Sequence, residues 1–304
     1  MSGETNSLLY GAQNLFYYGS YQAAINECSN IQPQLKGQDL FDLKFLLYRS
    51  YIGLKKYNLV LGETEKQDTP ELKGIYLFAK ASATKASDLE AKTKIVDELF
   101  ELAKDGSNIL NVNLQILSSI AGFSVDKLEP ALKAVSLQPK HLECVAIKVQ
   151  ILLHLDRVDL AQKELTAAKS WADDVPLIQL IEAWIGLRLG GQKFQEADAI
   201  FDELSQQSFA KTVKLLNCRA VANMHLGQIQ EAEEFLQEAL NKDGDDPETL
   251  ANLIVCSTLN NKPSDIRERY VSQLREVEPH HPYLESFDSK SLLFEECASK
   301  IKAN

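Results

Sequence analysis

The stretch Gly19-Ser20-Tyr21-Gln22-Ala23-Ala24 carries the pattern from which the fold of this 304-residue chain can be predicted. In it a glycine is followed by an aromatic residue two positions later and by an alanine three positions after that. Glycine tolerates the backbone conformation that commonly ends a helix. The aromatic residue is suited to begin a second helix, and the small alanine lets two helices approach closely. The stretch therefore predicts the turn and second helix of a helical hairpin.

The same arrangement returns along the chain, for example as Gly227, Ile229 and Ala232. When the small residue is taken as a mark of register, the marks are separated by 36, 71, 30, 36 and 35 residues and lie at Ala24, Val60, Ala131, Ala161, Ala197 and Ala232. The longest interval leaves room for an unmarked unit near Ile95, and one further unit is expected near Ile266. A period of about 34 residues is typical of tetratricopeptide (TPR) repeats.

A hairpin of this kind cannot bury its apolar face alone, so neighbouring hairpins are expected to stack. We therefore predict an all-α fold, a TPR-like α-solenoid in which helical hairpins form a superhelix. The whole chain, residues 1–304, is predicted to be a single TPR-like helical repeat domain. It would have a short flexible N-terminus of about residues 1–7 and a C-terminal helical cap of about residues 282–304. Residues 64–128 follow the repeat poorly, and the pattern does not predict helix boundaries there.

Two prolines mark predicted helix starts. Thr69-Pro70-Glu71 and Asp246-Pro247-Glu248 each place a residue with a capping side chain before a proline, and an acid in the first turn. A capping oxygen accepts hydrogen bonds from the first free N–H groups, and proline fits the first helical position. Asp246 follows Asp243-Gly244-Asp245, and we interpret that stretch as a turn between repeats rather than a calcium loop.

Charge argues against two classes of partner. With 32 basic and 43 acidic side chains the net charge is −11, and no lysine or arginine precedes Lys36. Binding to nucleic acid or to an anionic membrane depends on clustered basic residues, so neither is predicted. The opening MSGETNSLLYGAQ does not resemble a signal peptide, and no apolar run reaches the ~18 residues of a membrane span. We expect a cytoplasmic protein with no direct membrane insertion.

Motifs for catalysis or cofactor binding are absent from the sequence, including the phosphate-binding loop, the dinucleotide loop, H-E-x-x-H and G-x-S-x-G. The pair His280-His281 is the strongest metal candidate, but adjacent histidines between two prolines do not readily reach one ion, and we predict a surface turn there. Reduced and mostly buried thiols are expected of the five cysteines, Cys28, Cys144, Cys218, Cys256 and Cys297. We predict no enzymatic activity, no cofactor and no metal.

The first helix of each hairpin is expected to line the concave surface, where repeat proteins bind other proteins. Counting from the register marks, nine residues should face it and form the predicted partner-binding site. They are Phe16, Tyr17, Arg49, Gln150, His154, Trp184, Arg188, Met224 and His225. Trp, Tyr, Arg and Met are enriched in protein interfaces. The alternative is that many of them, Phe16 and Trp184 above all, are ordinary packing residues between helices.

Several stretches resemble the epsilon subunit family of the coatomer (COPI) vesicle coat. They are NLFYYGSYQAAINE (14–27), FLLYRSYIGLKKYNLVLGE (45–63), LECVAIKVQILLHLDRVDLAQKEL (142–165) and FLQEALNKDGDDPETLANLIV (235–255), with His281-Pro282-Tyr283 near the end. The resemblance extends from about residue 14 to the C-terminus and is weakest over residues 64–128.

The resemblance implies a right-handed TPR superhelix that clasps and stabilises the C-terminal region of the alpha coatomer subunit. It also implies a structural role in Golgi-to-ER and intra-Golgi vesicle transport, with the protein held peripherally on Golgi membranes and COPI-coated vesicles. The alternatives are a generic TPR adaptor or a co-chaperone. A co-chaperone needs clustered basic residues to clamp a carboxylate, whereas Arg49 and Arg188 lie far apart in repeat number. An enzyme on a helical scaffold is disfavoured by the absence of catalytic motifs.

Overall fold

The computed structural model describes residues 7–85, 87–206 and 211–302, which form seventeen α-helices and no β-strand. The all-α, TPR-like prediction is confirmed. The helices are α1 (Ser7–Tyr17), α2 (Tyr21–Ile31), α3 (Gln38–Gly53), α4 (Tyr57–Thr64), α5 (Pro70–Ala83), α6 (Leu89–Lys104), α7 (Val112–Phe123), α8 (Leu128–Ser136), α9 (Leu142–His154), α10 (Val158–Lys169), α11 (Pro176–Leu189), α12 (Lys193–Ser205), α13 (Val213–His225), α14 (Ile229–Lys242), α15 (Pro247–Leu259), α16 (Ser264–Val277) and α17 (Pro282–Lys302).

The chain divides into two compact units, Met1–Leu215 and Leu216–Asn304. The first contains α1 to α12 and the start of α13, and the second contains the rest of α13 and α14 to α17. The single-domain organisation stays a prediction. The expected flexible segment at the N-terminus lies outside the described residues except for Ser7, which begins α1. In α17, the predicted cap, Leu284 is buried in the second unit's core, whereas every side chain from Glu285 to Cys297 is exposed.

Within the described ranges, six hairpins turn in the same way, with one residue in the left-handed backbone region between their two helices. These residues are Gly19, Lys55, Asp126, Asp156, Gly227 and Asn261, with φ between 52° and 85°. In each case the next residue donates its N–H to the carbonyl five residues earlier, as Ser20 does to Leu15 at 2.8 Å. This bond satisfies a carbonyl that the end of a helix leaves free.

The repeat predicted from the sequence matches these hairpins. All six register marks are buried. Each of them except Ala197 lies five positions after the residue of its hairpin turn that has left-handed backbone angles. The unmarked unit near Ile95 is the hairpin α5–α6, whose turn is longer, and the further unit near Ile266 is α15–α16. Small or branched residues at the marks therefore lie where two helices pack together.

Of the two predicted caps, one is correct. The Asp246 carboxylate accepts the Thr249 N–H at 2.8 Å and caps α15. Thr69 makes no side-chain capping bond within the part of the chain that the structure describes. Its backbone is extended and Pro70 occupies the first turn of α5, so the helix begins there without the predicted hydrogen bond.

Gly122 in α7 marks a close approach between helices, because a Cβ atom built there would lie 2.6 Å from the Phe100 ring and 3.3 Å from the Lys127 carbonyl oxygen. Replacing Gly122 with valine is expected to lower the free energy of unfolding by about 1–3 kcal/mol through overpacking. The control is Gly62→Ala in α4, where nothing lies within 4 Å. That change should raise stability by about 0.5–1 kcal/mol. Urea denaturation measures both, and equal stability of the two variants would contradict the close packing.

Candidate protein-binding site

A cavity of about 420 Å³ lies in the first unit, and the first helix of every hairpin there faces it. Its lining includes Tyr17 of α1, Arg49 of α3, Phe78 of α5, Ile120 of α7, Gln150 of α9, Trp184 of α11 and Lys214 of α13. Residues far apart in the sequence thus meet around one space, because equivalent helices of successive hairpins point the same way.

Five of the nine residues predicted for the partner-binding surface line this cavity. They are Phe16, Tyr17, Arg49, Gln150 and Trp184. Their role in binding a partner stays a prediction, but the structure brings them together.

The other four predicted residues do not line the cavity. His154 is exposed, and its ring packs edge-on against Phe123 at 5.1 Å between ring centres. Arg188 is exposed and donates to Asp156 at 2.8 Å. Met224 and His225 belong to the second unit, where Met224 packs against the core and His225 is exposed. All four lie on first helices, as counted from the register marks. However, His154 and Arg188 lie at the ends of α9 and α11, and Met224 and His225 lie in the second unit.

An ion pair closes part of the cavity wall. Both guanidinium NH groups of Arg49 donate to Glu143, one to Oε2 at 3.1 Å and the other to Oε1. The two side chains are only 5% and 12% exposed. Burial alone would lower the pKa of Arg49 and raise that of Glu143, but their mutual attraction outweighs it and shifts each pKa in the opposite direction. Both groups therefore remain charged, and the pair joins α3 to α9.

Neighbouring side chains complete this polar cluster. Burial, followed by the negative charge of Glu143, raises the pKa of Tyr17 well above its usual range, so the hydroxyl stays protonated and donates to Glu143. Burial also lowers the pKa of His141, at the start of α9. Its Nδ1 has no hydrogen-bond partner among the described residues. The sequence did not reveal Glu143, since an acid in the first turn of a helix is usually a solvated residue.

The rest of the cavity wall is mainly aromatic and aliphatic. The Phe16 ring lies 4.6 Å from the guanidinium carbon of Arg49 and 5.6 Å from the ring of Tyr21. The Lys214 ammonium donates to the Tyr17 carbonyl at 3.2 Å and lies 5.7 Å from the Trp184 ring. Both cations of the lining are therefore already engaged. This arrangement suits an apolar segment of a partner better than a terminal carboxylate.

The histidine pair differs from the predicted surface turn at one position. His281 is buried, and its Nδ1 accepts the Tyr283 N–H at 3.2 Å at the start of α17. His280 is exposed, as predicted. Across the described ranges no group of three or more His, Cys, Asp or Glu side chains is placed to hold a metal ion. None of the helices that the structure describes is long and apolar enough to cross a membrane.

The cysteines differ strongly in accessibility. Cys28, Cys144 and Cys256 are buried and Cys297 is exposed. Burial is the main cause that raises the pKa of Cys28 and Cys256 to about 11 and that of Cys144 to about 12.

Since only the thiolate reacts readily, iodoacetamide at pH 8 is expected to modify Cys297 first and the three buried thiols far more slowly. Peptide mass spectrometry over time checks the order, and Cys297→Ser should remove the fast phase. Modification of Cys144 as fast as Cys297 in folded protein would contradict the buried positions.

The fold and the cavity together define a TPR-like helical repeat protein with a largely apolar cavity in its first unit. Solved structures share this fold. A chain of the crystal structure of the APC/C hetero-tetramer Cut9-Hcn1 has a TM-score of 0.62 and 13% identity, covering 95% of this chain and 56% of that chain. A tetratricopeptide repeat protein from Parabacteroides merdae ATCC 43184 has a TM-score of 0.54 and 9% identity, covering 92% and 95%. At such identities the likeness concerns the fold alone.

Sequence relatives identify the family. Coatomer subunit epsilon-1 of Arabidopsis thaliana is 37% identical, over 90% of each chain. Coatomer subunit epsilon of Dictyostelium discoideum is 30% identical, over 98% of this chain and 99% of the relative. The model of the coatomer epsilon subunit family matches residues 5–302. This chain belongs to the coatomer epsilon subunit family, which confirms the resemblance predicted from the sequence.

Proposed function

We propose that this protein is a non-enzymatic scaffold subunit of the coatomer (COPI) coat that binds and stabilises the C-terminal region of the alpha subunit. In this role it acts in Golgi-to-ER and intra-Golgi vesicle transport. It is located in the cytoplasm and is held peripherally on Golgi membranes and COPI-coated vesicles. Membership of the coatomer epsilon family supports the place in the coat. The observation that carries the binding role is the cavity to which the first helix of every hairpin in the first unit contributes.

The chemistry of that cavity supports a protein ligand. Phe16, Tyr17 and Trp184 provide large rigid surfaces of the kind that dominate binding energy in protein interfaces. Gln150 adds an amide group, which can both donate to and accept from a partner's backbone. The Arg49–Glu143 pair is internally neutralised, so the partner needs no matching charge there.

The alternative of a co-chaperone receives no support from this site. A carboxylate clamp requires cations that are free to bind the ligand, whereas Arg49 is paired with Glu143 and Lys214 donates to the Tyr17 carbonyl. A generic TPR adaptor would bind through the same cavity, and the identity of the partner separates it from a coat subunit.

The binding of a purified C-terminal fragment of the alpha coatomer subunit tests the proposal. Trp171 is exposed and Trp184 lines the cavity, so Trp171→Phe leaves Trp184 as the fluorophore. We expect a saturable change of Trp184 emission that ends at one fragment per chain. Binding seen by calorimetry without any change in emission would place the partner elsewhere, and an absence of binding would refute the alpha subunit as partner.

A further inference from the structure

The first hairpin touches the end of the first unit, although the two are distant in sequence. The Thr212 hydroxyl donates to the Tyr18 carbonyl at 2.6 Å across 194 positions. The Lys214 ammonium donates to the Tyr17 carbonyl in the same place. A Cβ atom built on Gly19 would lie 3.4 Å from the Cβ of Lys214. We call the contact between residues 17–19 and 212–214 the seam.

The seam closes a ring of helices around the cavity. From α1 the wall passes through α3, α5, α7, α9 and α11 to Lys214, which returns to α1. Helix α1 also packs against α11 directly. Every other step around this ring joins consecutive hairpins of the chain. At the seam the ring is closed by contacts between segments that are not consecutive, so separating them stretches no covalent connection. Moving α1 away also breaks the hydrogen bond that Tyr17 donates to Glu143 of α9.

The hairpin on one side of the seam contributes no residue to the ion pair of the ring, and it packs against α3 through a shared buried core. Arg49 and Glu143 join α3 to α9, and neither belongs to α1 or α2. The connection from α2 to α3 contains Gly37, which has φ of +59° and no atom within 4 Å of its Cβ position. Hinges are commonly a few loop residues of this kind that absorb changes in φ and ψ.

We propose that the α1–α2 hairpin is a strap that opens at the seam to admit the partner segment and then closes over it. The strap carries Phe16 and Tyr17, which cover the Arg49–Glu143 pair in the closed ring. Opening moves these two side chains away from the pair, and closing presses them onto the bound segment. The proposal rests on the proposed function, because it assumes that the cavity holds part of the alpha subunit.

A disulfide across the seam tests the strap. Gly19→Cys combined with Lys214→Cys places two Cβ atoms near the ~3.8 Å that disulfides need, and Cys297→Ser removes the exposed thiol. Diamide serves as the oxidant, and the same variant kept reduced is the matched control. The probe is the purified C-terminal fragment of the alpha subunit, followed by stopped-flow fluorescence.

Oxidation before mixing is expected to slow association at least about tenfold relative to the reduced variant, because the ring-open state is no longer populated. Oxidation after mixing is expected to slow dissociation at least about tenfold for the same reason. Equal rates in both redox states would overturn the strap while leaving the proposed function intact. Failure of the reduced variant and of the unsubstituted chain to bind the fragment would instead refute the proposed function.

Hydrogen exchange of the unsubstituted protein provides a second measurement, since a cysteine at Gly19, with φ of +85°, strains the turn. In the free chain the amides of α1 and α2 are expected to exchange faster than those of α7 and α9, because opening of the strap exposes them. Binding of the fragment should slow that exchange. Exchange in α1 and α2 as slow as in α7 in the free chain would overturn the proposal.

Discussion

Replacement of Arg49 with alanine is expected to lower the free energy of unfolding by about 3–5 kcal/mol, because it leaves a buried carboxylate without its partner. Glu143 is 12% exposed in the folded chain and accepts both hydrogen bonds from Arg49. Chemical denaturation at neutral pH measures the loss. The result would show that the ion pair between α3 and α9 holds the wall of the cavity together.

The matched control is Arg188→Ala. Arg188 is also paired with an aspartate, Asp156, but the two side chains are 48% and 81% exposed. Loss of such a surface pair typically costs about 0–1 kcal/mol. Replacement of both buried partners, Arg49→Met with Glu143→Leu, should recover most of the loss, since no unpaired charge remains. Equal stability of the Arg49 and Arg188 variants would refute the role given to the buried pair.

The same variant should change the dependence of stability on pH. In the unsubstituted chain Arg49 holds the pKa of Glu143 below its usual value despite burial. The ionised Glu143 therefore contributes to stability above the ordinary pKa of a glutamate. This contribution is lost as the pH falls through the lowered pKa of Glu143. Without Arg49, burial raises the pKa of Glu143. Protonation as the pH falls then removes the free-energy cost of burying an unpaired carboxylate. The difference in stability between the two proteins should narrow from pH 7 to pH 4.

Tyr17→Ala combined with Trp184→Ala is expected to weaken binding of the alpha-subunit fragment by about 2 kcal/mol or more, which is roughly a 30-fold rise in Kd. Both side chains line the cavity from opposite ends of the first unit's sequence. Isothermal titration calorimetry measures the change. Tyr17→Phe separates the role of the hydroxyl, which donates to Glu143, from that of the ring.

The control for this pair is Tyr10→Ala with Trp171→Ala. It removes the same two residue types, but Tyr10 and Trp171 are 37% and 41% exposed and do not line the cavity. Loss of Trp184 by itself can cost about 3–5 kcal/mol of stability. Binding is therefore compared at a temperature where every variant is folded, and Tyr17→Ala is also measured alone. Undiminished binding by the folded cavity variant would show that the partner docks elsewhere.

The turns show how far a local pattern predicts the fold. Gly19 and Gly227 lie at hairpin turns as the pattern predicts, with φ of 85° and 77°. Lys55, Asp126 and Asp156 adopt the same left-handed conformation without being glycine. Such residues take this conformation at some cost, and the surrounding helix packing holds them there. The sequence therefore predicted the repeat from its small residues even where the turn residue gave no signal.

The geometry of the predicted site was foreseen only in part for a similar reason, and its role in binding stays a prediction. Register counting selects the first helices, and five of its nine residues line one cavity. It also presented Arg49 as an interface residue, whereas the structure buries it against Glu143. Burial of a charge depends on a partner 94 positions away, and no spacing within a repeat marks that partner.

The sequence by itself determined the helical repeat, its register and the family, because each depends on residues within one hairpin or on local similarity along the chain. Only the tertiary structure decided which first-helix residues meet around the cavity. It also decided that Thr212 reaches Tyr18 and closes the ring. The physical reason is that these contacts depend on small rotations between neighbouring hairpins. The rotations add up over successive units, and their sum is set by side-chain packing at every interface.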